Sequence, residues 1–108
     1  MFDHLLNEEQ RRARDAARDF VKSTPRQLIL DMDEEEIRFP REWLREAGQR
    51  KLLGVRHPVK WGGKGLDWVA SCAISEEIGS LSYELACVFG VGANLVCDAI
   101  VAHGTDEQ

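Results

Sequence analysis

Apolar residues recur at helical spacing through most of the chain, and several of these runs follow a residue suited to capping a helix. The first run covers about 8–22, where Asn7 can cap the helix and Gln10, three residues later, completes a capping box. Its apolar residues fall on one side of the predicted helix: Ala13, Ala16, Ala17, Phe20 and Val21. Because arginine and aspartate fill most other positions, the pattern predicts a surface helix with one buried face.

Two shorter helices are predicted before the middle of the chain. The second helix begins at Thr24, which we interpret as its cap, with Pro25 at the first helical position and Gln27 completing another capping box. Its apolar pattern ends in an acidic run. A third helix is predicted over about 40–50, where Pro40 suits the start. The inward-facing residues expected in these two helices are Leu28, Ile29, Met32, Trp43, Leu44 and Ala47.

Residues 57–66 carry the strongest loop signal, because three glycines fall within four positions. A phosphate-binding loop is one interpretation, but the Walker A pattern requires serine or threonine after its lysine, and Lys64 is followed by Gly65. The dinucleotide-binding pattern GxGxxG is also absent, and no strand is predicted before the loop. We therefore expect a structural turn in which Trp61 packs onto the core.

The second half of the chain predicts two more helices. Asp67 caps one over 68–79, and Ser82 caps a longer one over 83–103 that is apolar almost all round. Adjacent carboxylates on a helix point about 100° apart, so we interpret Glu76–Glu77 as solvated or locally paired rather than as an acid–base pair.

The helix over 83–103 has the length of a membrane span, but Asn94, Asp98 and the lack of basic flanks favour a buried helix without a membrane span. Gly90 and Gly92 each cost about 1 kcal/mol relative to alanine inside a helix. That cost requires compensation, either by close helix packing or by room for a ligand. The residues alone leave both explanations open.

These elements predict a single all-α domain over 1–108, a bundle of about five helices packed up-and-down or orthogonally. The net charge of −5 excludes nucleic acid as a main partner. Residues 1–5 lack the features of a secretory signal, so we expect a cytoplasmic protein. No metal site is expected, since histidines and cysteines do not fall at ligand spacing. The three cysteines are interpreted as small core hydrophobes in a reducing compartment: Cys72, Cys87 and Cys97.

The last four residues, 105–108, form another capping pattern, T-x-x-Q, with acidic residues between. Such a pattern normally opens a helix, and here the sequence stops. We therefore expect that the chain is truncated and that the long apolar helix before it meets a neighbour outside these residues.

The order of landmarks resembles the N-terminal helical domain of the acyl-CoA dehydrogenase family. Residues 6–10 are similar to the LTEEQ opening of that family, and residues 53–66 to its LLGIPxPEEYGGLGL segment. Further similar segments are Ala17–Phe20 (VRDF), Arg38–Pro40 (FP before a helix), Ser75–Gly79 (EELG) and His103–Gln108 (FGTEEQ). Trp61 replaces the usual tyrosine, and Val59–Lys60 replaces an acidic pair, which leaves the substrate subfamily open.

The resemblance implies a flavoprotein that oxidises the Cα–Cβ bond of an acyl-CoA thioester. A glutamate base removes the α-proton and the β-hydride passes to N5 of FAD. The base, a β-domain and a C-terminal helical domain are expected beyond position 108, so no catalytic residue is predicted here. The 108 residues alone are then expected to be inactive and not to bind FAD tightly. The complete enzyme is expected to be a homo-oligomer.

In the family, the helix matched by 83–103 closes one side of the acyl pocket. That match implies substrate-binding roles for Cys87, Val88, Val91 and Leu95, with Gly90 or Gly92 giving space; ordinary core packing is the alternative for each. An acyl-CoA oxidase or a flavin monooxygenase of the same fold is a second hypothesis. A non-enzymatic helical module that docks a partner through 83–103 is a third.

Overall fold

The computed structural model describes residues 3–108, which form five α-helices. These are α1 (Glu8–Ser23), α2 (Arg26–Asp33), α3 (Arg41–Gln49), α4 (Trp68–Gly79) and α5 (Tyr83–His103). Short 3₁₀ turns cover Asp3–Leu5 and Val59–Trp61, and the described residues contain no strand. The all-α prediction is confirmed, and the bounds predicted for four of the helices lie within two residues of those of α1, α3, α4 and α5. Met1 and Phe2, part of the segment searched for a secretory signal, lie outside the described residues.

The core forms where α1 packs against α4, with α3 and the first half of α5 closing it. Its largest fully buried side chains are Phe20, Leu52, Ile74, Ile78 and Leu85. Trp43 stacks on Phe20 with ring centroids 5.2 Å apart and meets Phe89 edge-on at 6.4 Å. Ala13 and Ala17 are buried between α1 and its neighbours, because their small side chains let helices approach closely.

The starts of α1 and α4 are tied together by one glutamine. Asn7 and Gln10 form the predicted capping box, each side chain accepting from the other residue's backbone N–H. The Gln10 amide also donates to Asp67 at 2.7 Å, while Asp67 caps α4 by accepting from the Ala70 N–H at 2.9 Å. These donors hold the pKa of Asp67 below its ordinary value, the Ala70 amide contributing most.

The prediction that Thr24 caps α2 is wrong. Pro25 occupies the N-cap position of α2 and no side chain caps that helix. The Thr24 hydroxyl instead donates to the Phe20 carbonyl and accepts from the indole N–H of Trp43, both at 3.0 Å. A buried indole N–H needs a partner, and supplying it fixes Thr24 at the end of α1.

The glycine-rich loop is a structural turn, as predicted. The Gly65 N–H donates to the His57 carbonyl at 2.9 Å and the Gly63 N–H donates to Pro58 at 3.1 Å. A Cβ at position 63 would lie 2.1 Å from the His57 carbonyl oxygen, so only glycine allows this closure. The expectation for Trp61 is wrong: its side chain is 46% exposed, with the Lys60 ammonium 4.7 Å from its ring.

The interpretation of the cysteines as core residues is also wrong. Cys72 and Cys87 are exposed, Cys97 is half-buried, and all three are free thiols. Glu77 is paired, but not locally: it accepts from the Arg18 guanidinium at 2.7 Å, and Arg18 lies on α1, 59 residues earlier. At the C-terminal end, Thr105 and Gln108 form the reciprocal hydrogen bonds of a capping box. The prediction that this box opens a further helix stays a prediction.

Candidate functional site: the outer surface of helix α5

Helix α5 begins as an ordinary amphipathic helix packed on the core. Ser82 caps it by accepting from the Leu85 N–H at 3.1 Å, as predicted. Leu85, Phe89 and Ala93 recur every four residues and are buried. Between Val91 and Val96 the helix widens into a π-helical segment before it continues as α-helix to His103.

The π-helical segment changes which residues face inward. In a straight α-helix each residue advances about 100°, so position 98 would lie opposite Phe89 and position 100 would return to the side of Phe89. The wider π turn shifts the following residues by roughly one position. As a result Asp98 turns toward the body of the domain, and Val96 and Ile100 are 47% and 41% exposed.

A polar cluster holds this inner side. One guanidinium nitrogen of Arg56 lies 2.6 and 2.7 Å from the two carboxylate oxygens of Asp98 and 3.3 Å from the Asn94 side-chain oxygen. The Ser71 hydroxyl donates to the same Asn94 oxygen at 3.3 Å. Trp68 covers the cation, with the guanidinium carbon 3.4 Å from its ring centroid. The Arg56 side chain is only 12% exposed, whereas the Asp98 carboxylate is 37% exposed, so a largely buried cation meets a partly exposed anion.

The opposite side of α5 is apolar and exposed, and we call it the α5 outer surface. It comprises Cys87, Val91, Leu95, Val96, Ile100 and Val101. Leu95 is the most exposed of its hydrophobic residues at 70%. The second half of α5 therefore has its polarity reversed, with charged groups inside and aliphatic groups outside. Exposed apolar patches of this kind mark surfaces that bind another apolar surface.

The four predicted substrate-binding residues lie together on this helix. Cys87, Val91 and Leu95 belong to the α5 outer surface, and Val88 is half-buried beside it. Tyr83 precedes Cys87 by four residues, and a hydrogen bond with the Cys87 thiol raises the pKa of Tyr83. A Cβ at Gly90 or Gly92 would meet nothing within 4 Å, so the described residues do not supply the close helix packing weighed for these glycines.

By length and composition alone, α5 would be able to cross a membrane, although core helices pass the same test. Only 17% of its most apolar window is buried within the domain. A core helix would be mostly covered, and this one is not. The described residues therefore leave the apolar outer surface uncovered, while the polar inner side contacts the rest of the domain.

Other candidate chemistry is sparse in the described part of the chain. Residues 3–108 contain no group of three or more histidine, cysteine or acidic side chains that could hold a metal ion. A cleft of about 280 Å³ lies at the end of α5, between its last turn, His57 and Trp61. A larger cleft of about 530 Å³ lies between the end of α1, α2 and α3, away from α5.

The polar cluster was missed by sequence reasoning. A signal was present, since Asn94 and Asp98 stand four residues apart in an otherwise apolar helix and must share one side of it. Their partner Arg56 stands between buried Val55 and His57, where a cation needs an anion. What could not be foreseen was the π-helical segment that brings the two together.

Comparison with known proteins gives one consistent result. A family model described as "Acyl-CoA dehydrogenase, N-terminal domain" matches residues 7–108. The chain is 30% identical over 104 residues to the mitochondrial isovaleryl-CoA dehydrogenase of Bos taurus, covering 95% of this chain and 24% of that relative. It is 28% identical over 106 residues to the short-chain specific acyl-CoA dehydrogenase of Clostridium acetobutylicum, covering 98% and 28%.

A third relative is the 3-(aryl)acrylate reductase of Clostridium sporogenes, 29% identical over 104 residues, covering 96% of this chain and 27% of the relative. The chain thus spans about a quarter of the length of the curated relatives it matches. No solved structure matches it.

Proposed function

We propose, from the premise that this chain belongs to the acyl-CoA dehydrogenase family, that it is the N-terminal helical domain of an FAD-dependent enzyme oxidising the Cα–Cβ bond of an acyl-CoA thioester. Residues outside these 108 supply the flavin-binding β-domain, the catalytic base and a C-terminal helical domain. This domain contributes one wall of the acyl pocket, and the complete enzyme is a homo-oligomer.

The observation that carries the proposal is the reversed polarity of α5. Burying a valine, leucine or isoleucine side chain is worth roughly 1.5–3 kcal/mol, and the α5 outer surface holds five such side chains that this domain leaves at least 41% exposed. A surface of this kind gains several kcal/mol when an apolar group covers it. An acyl chain enclosed between domains is such a group, and it requires no charged residue on the wall.

Within that wall, Cys87, Val91 and Leu95 contact the acyl chain, and Val88 borders it. These three exposed side chains recur every four residues, so they form one continuous stripe along α5. Gly90 and Gly92 lie beside the stripe with open space where a Cβ would be. Their place in the pocket is to leave room for the ligand or for the opposing domain.

The glycine-rich loop does not fit a role in holding FAD. Free backbone N–H groups at a glycine-rich turn are a common binding site for a dinucleotide pyrophosphate. In the only glycine-rich loop of residues 3–108, the N–H groups of Gly62, Gly63 and Gly65 already donate to carbonyls within the loop. FAD binding is therefore assigned to the other domains, and no step of the reaction is derived from this chain.

The test is acyl-chain selectivity of the complete enzyme. Leu95→Trp fills the proposed pocket, so we expect kcat/KM for long acyl-CoA substrates to fall about tenfold or more while short substrates are nearly unaffected. Val69→Trp, a substitution at a 46% exposed position on α4, is the matched control and should leave selectivity unchanged. Because one relative is a named reductase, the assay is run in both directions.

Equal loss for all chain lengths would contradict the acyl-wall role. Purification of the 108-residue chain with bound flavin would contradict the assignment of FAD binding to the other domains. Oxygen consumption during turnover would identify an oxidase or monooxygenase instead. The non-enzymatic module would be favoured by three results for the chain: a reversible monomer–dimer equilibrium, sharp thermal unfolding and no association with a flavoprotein.

A further inference from the structure

The six-residue π-helical segment in α5 requires an explanation, because π-helical turns are rare and less favourable than α-helix. The segment holds no proline, and its weakest helix former is Gly92, which follows Gly90 by two residues. Local hydrogen bonding contributes one feature, as the Cys97 thiol donates to the Gly92 carbonyl five residues earlier at 2.8 Å. The side-chain hydrogen bonds from the segment to the rest of the domain are those of Asn94 with Arg56 and Ser71.

Electrostatics gives the reason for the wider turn. Arg56 is fixed in the connector between α3 and α4, and its side chain is 12% exposed beneath Trp68. Without an anion it would be a buried, uncompensated charge, which is strongly destabilising. A straight α-helix would place Asp98 opposite Phe89, on the apolar outer side and out of reach of Arg56. The wider turn brings Asp98 within 2.6 Å of the guanidinium.

We propose that Arg56 and Asp98 act as a register clamp: their ion pair holds the π-helical segment of α5 and thereby selects Leu95, Val96 and Ile100 as the residues presented outward. Arg56 is in this sense a positioning residue, acting 42 residues away in sequence through Asp98. That the presented surface then serves an acyl chain rests on the proposed function. The register itself does not, and it is measured on the chain without any enzyme assay.

The experiment measures thiol alkylation rates site by site in the 108-residue chain carrying Ile100→Cys. In the structure Ile100 is exposed, whereas in a straight α-helix position 100 would face the core on the side of Phe89. The clamp is removed with the double substitution Arg56→Met/Asp98→Leu, which leaves no unpaired buried charge and so favours a folded chain. Native Cys87, which precedes the π-helical segment, is the internal reference, and Arg56→Lys is the conservative control.

We expect alkylation at position 100 to slow roughly fivefold or more in the double variant, because the thiol turns toward the core. Cys87 should stay within about twofold of its original rate, and Arg56→Lys should retain the original rate at position 100. General loosening of the helix would instead speed alkylation at both sites. An unchanged rate at position 100, or a rise there together with Cys87, would overturn the proposal.

Discussion

Two regions differ in where their polar and apolar side chains lie: the interface between α1 and α4, and the second half of α5. On α1, Ala13, Ala17 and Phe20 are buried while most arginines and aspartates lie outside, as in the exposed pair of Arg12 with Glu8. Beyond Val91, α5 turns Asp98 toward Arg56 and leaves Leu95 70% exposed. The difference teaches that this chain completes the first interface by itself, whereas the described residues leave the outer surface of the second half of α5 uncovered.

The largest expected difference between the two regions is in stability, and it is measured by truncating one large side chain in each. Phe20→Ala leaves a cavity at the centre of the core, so we expect about 3–5 kcal/mol less free energy of unfolding. Leu95→Ala removes a side chain that is 70% exposed and should change stability by no more than about 0.5 kcal/mol. Chemical denaturation of both variants gives the two values. A comparable loss in both would show that α5 is covered by this domain after all.

The next effect concerns the cap that joins α1 and α4. Because the folded pKa of Asp67 is lowered, its stabilisation is fully present above the unfolded value of about 3.9 and is lost as pH falls through the folded pKa. We therefore expect the thermal midpoint to drop in acid, and Asp67→Asn to flatten that dependence between about pH 5 and pH 2.

Ser82→Ala is the matched control for this pH dependence, because it removes the cap of α5 without removing a titrating group. It should lower the midpoint at every pH and leave the slope unchanged. Thermal unfolding followed by circular dichroism across the pH range measures both variants. A slope in Asp67→Asn equal to that of the original chain would show that this carboxylate does not carry the effect.

The smallest expected change in stability comes from a substitution within α5 itself. Gly90 has ordinary α-helical angles, φ −65° and ψ −37°, and open space where a methyl group would lie, so Gly90→Ala should stabilise the isolated chain by up to about 1 kcal/mol. Under the proposed function the same methyl group narrows the acyl pocket, so the complete enzyme should show a raised KM for long substrates. Stabilisation without any kinetic change would remove Gly90 from the pocket wall.

Much of the fold could be predicted because its signals are local. Asn7, Asp67 and Ser82 cap the helices that their positions indicate, and the family resemblance is confirmed by the match over 7–108. Several errors concern contacts that local patterns do not set. The Thr24 hydroxyl accepts from the indole N–H of Trp43, and Trp61, Cys72 and Cys87 are exposed where core packing was expected. The roles of Cys87, Val88, Val91 and Leu95 stay predictions.

The sequence by itself determined where α1, α4 and α5 begin, since capping side chains and apolar periodicity act within a few residues. It also determined the family, since the order of its motifs is a property of the chain alone. Only the tertiary structure decided which side of α5 faces outward. The physical reason is that a largely buried cation at Arg56 must meet the carboxylate of Asp98, 42 residues away, and the helix widens to allow it.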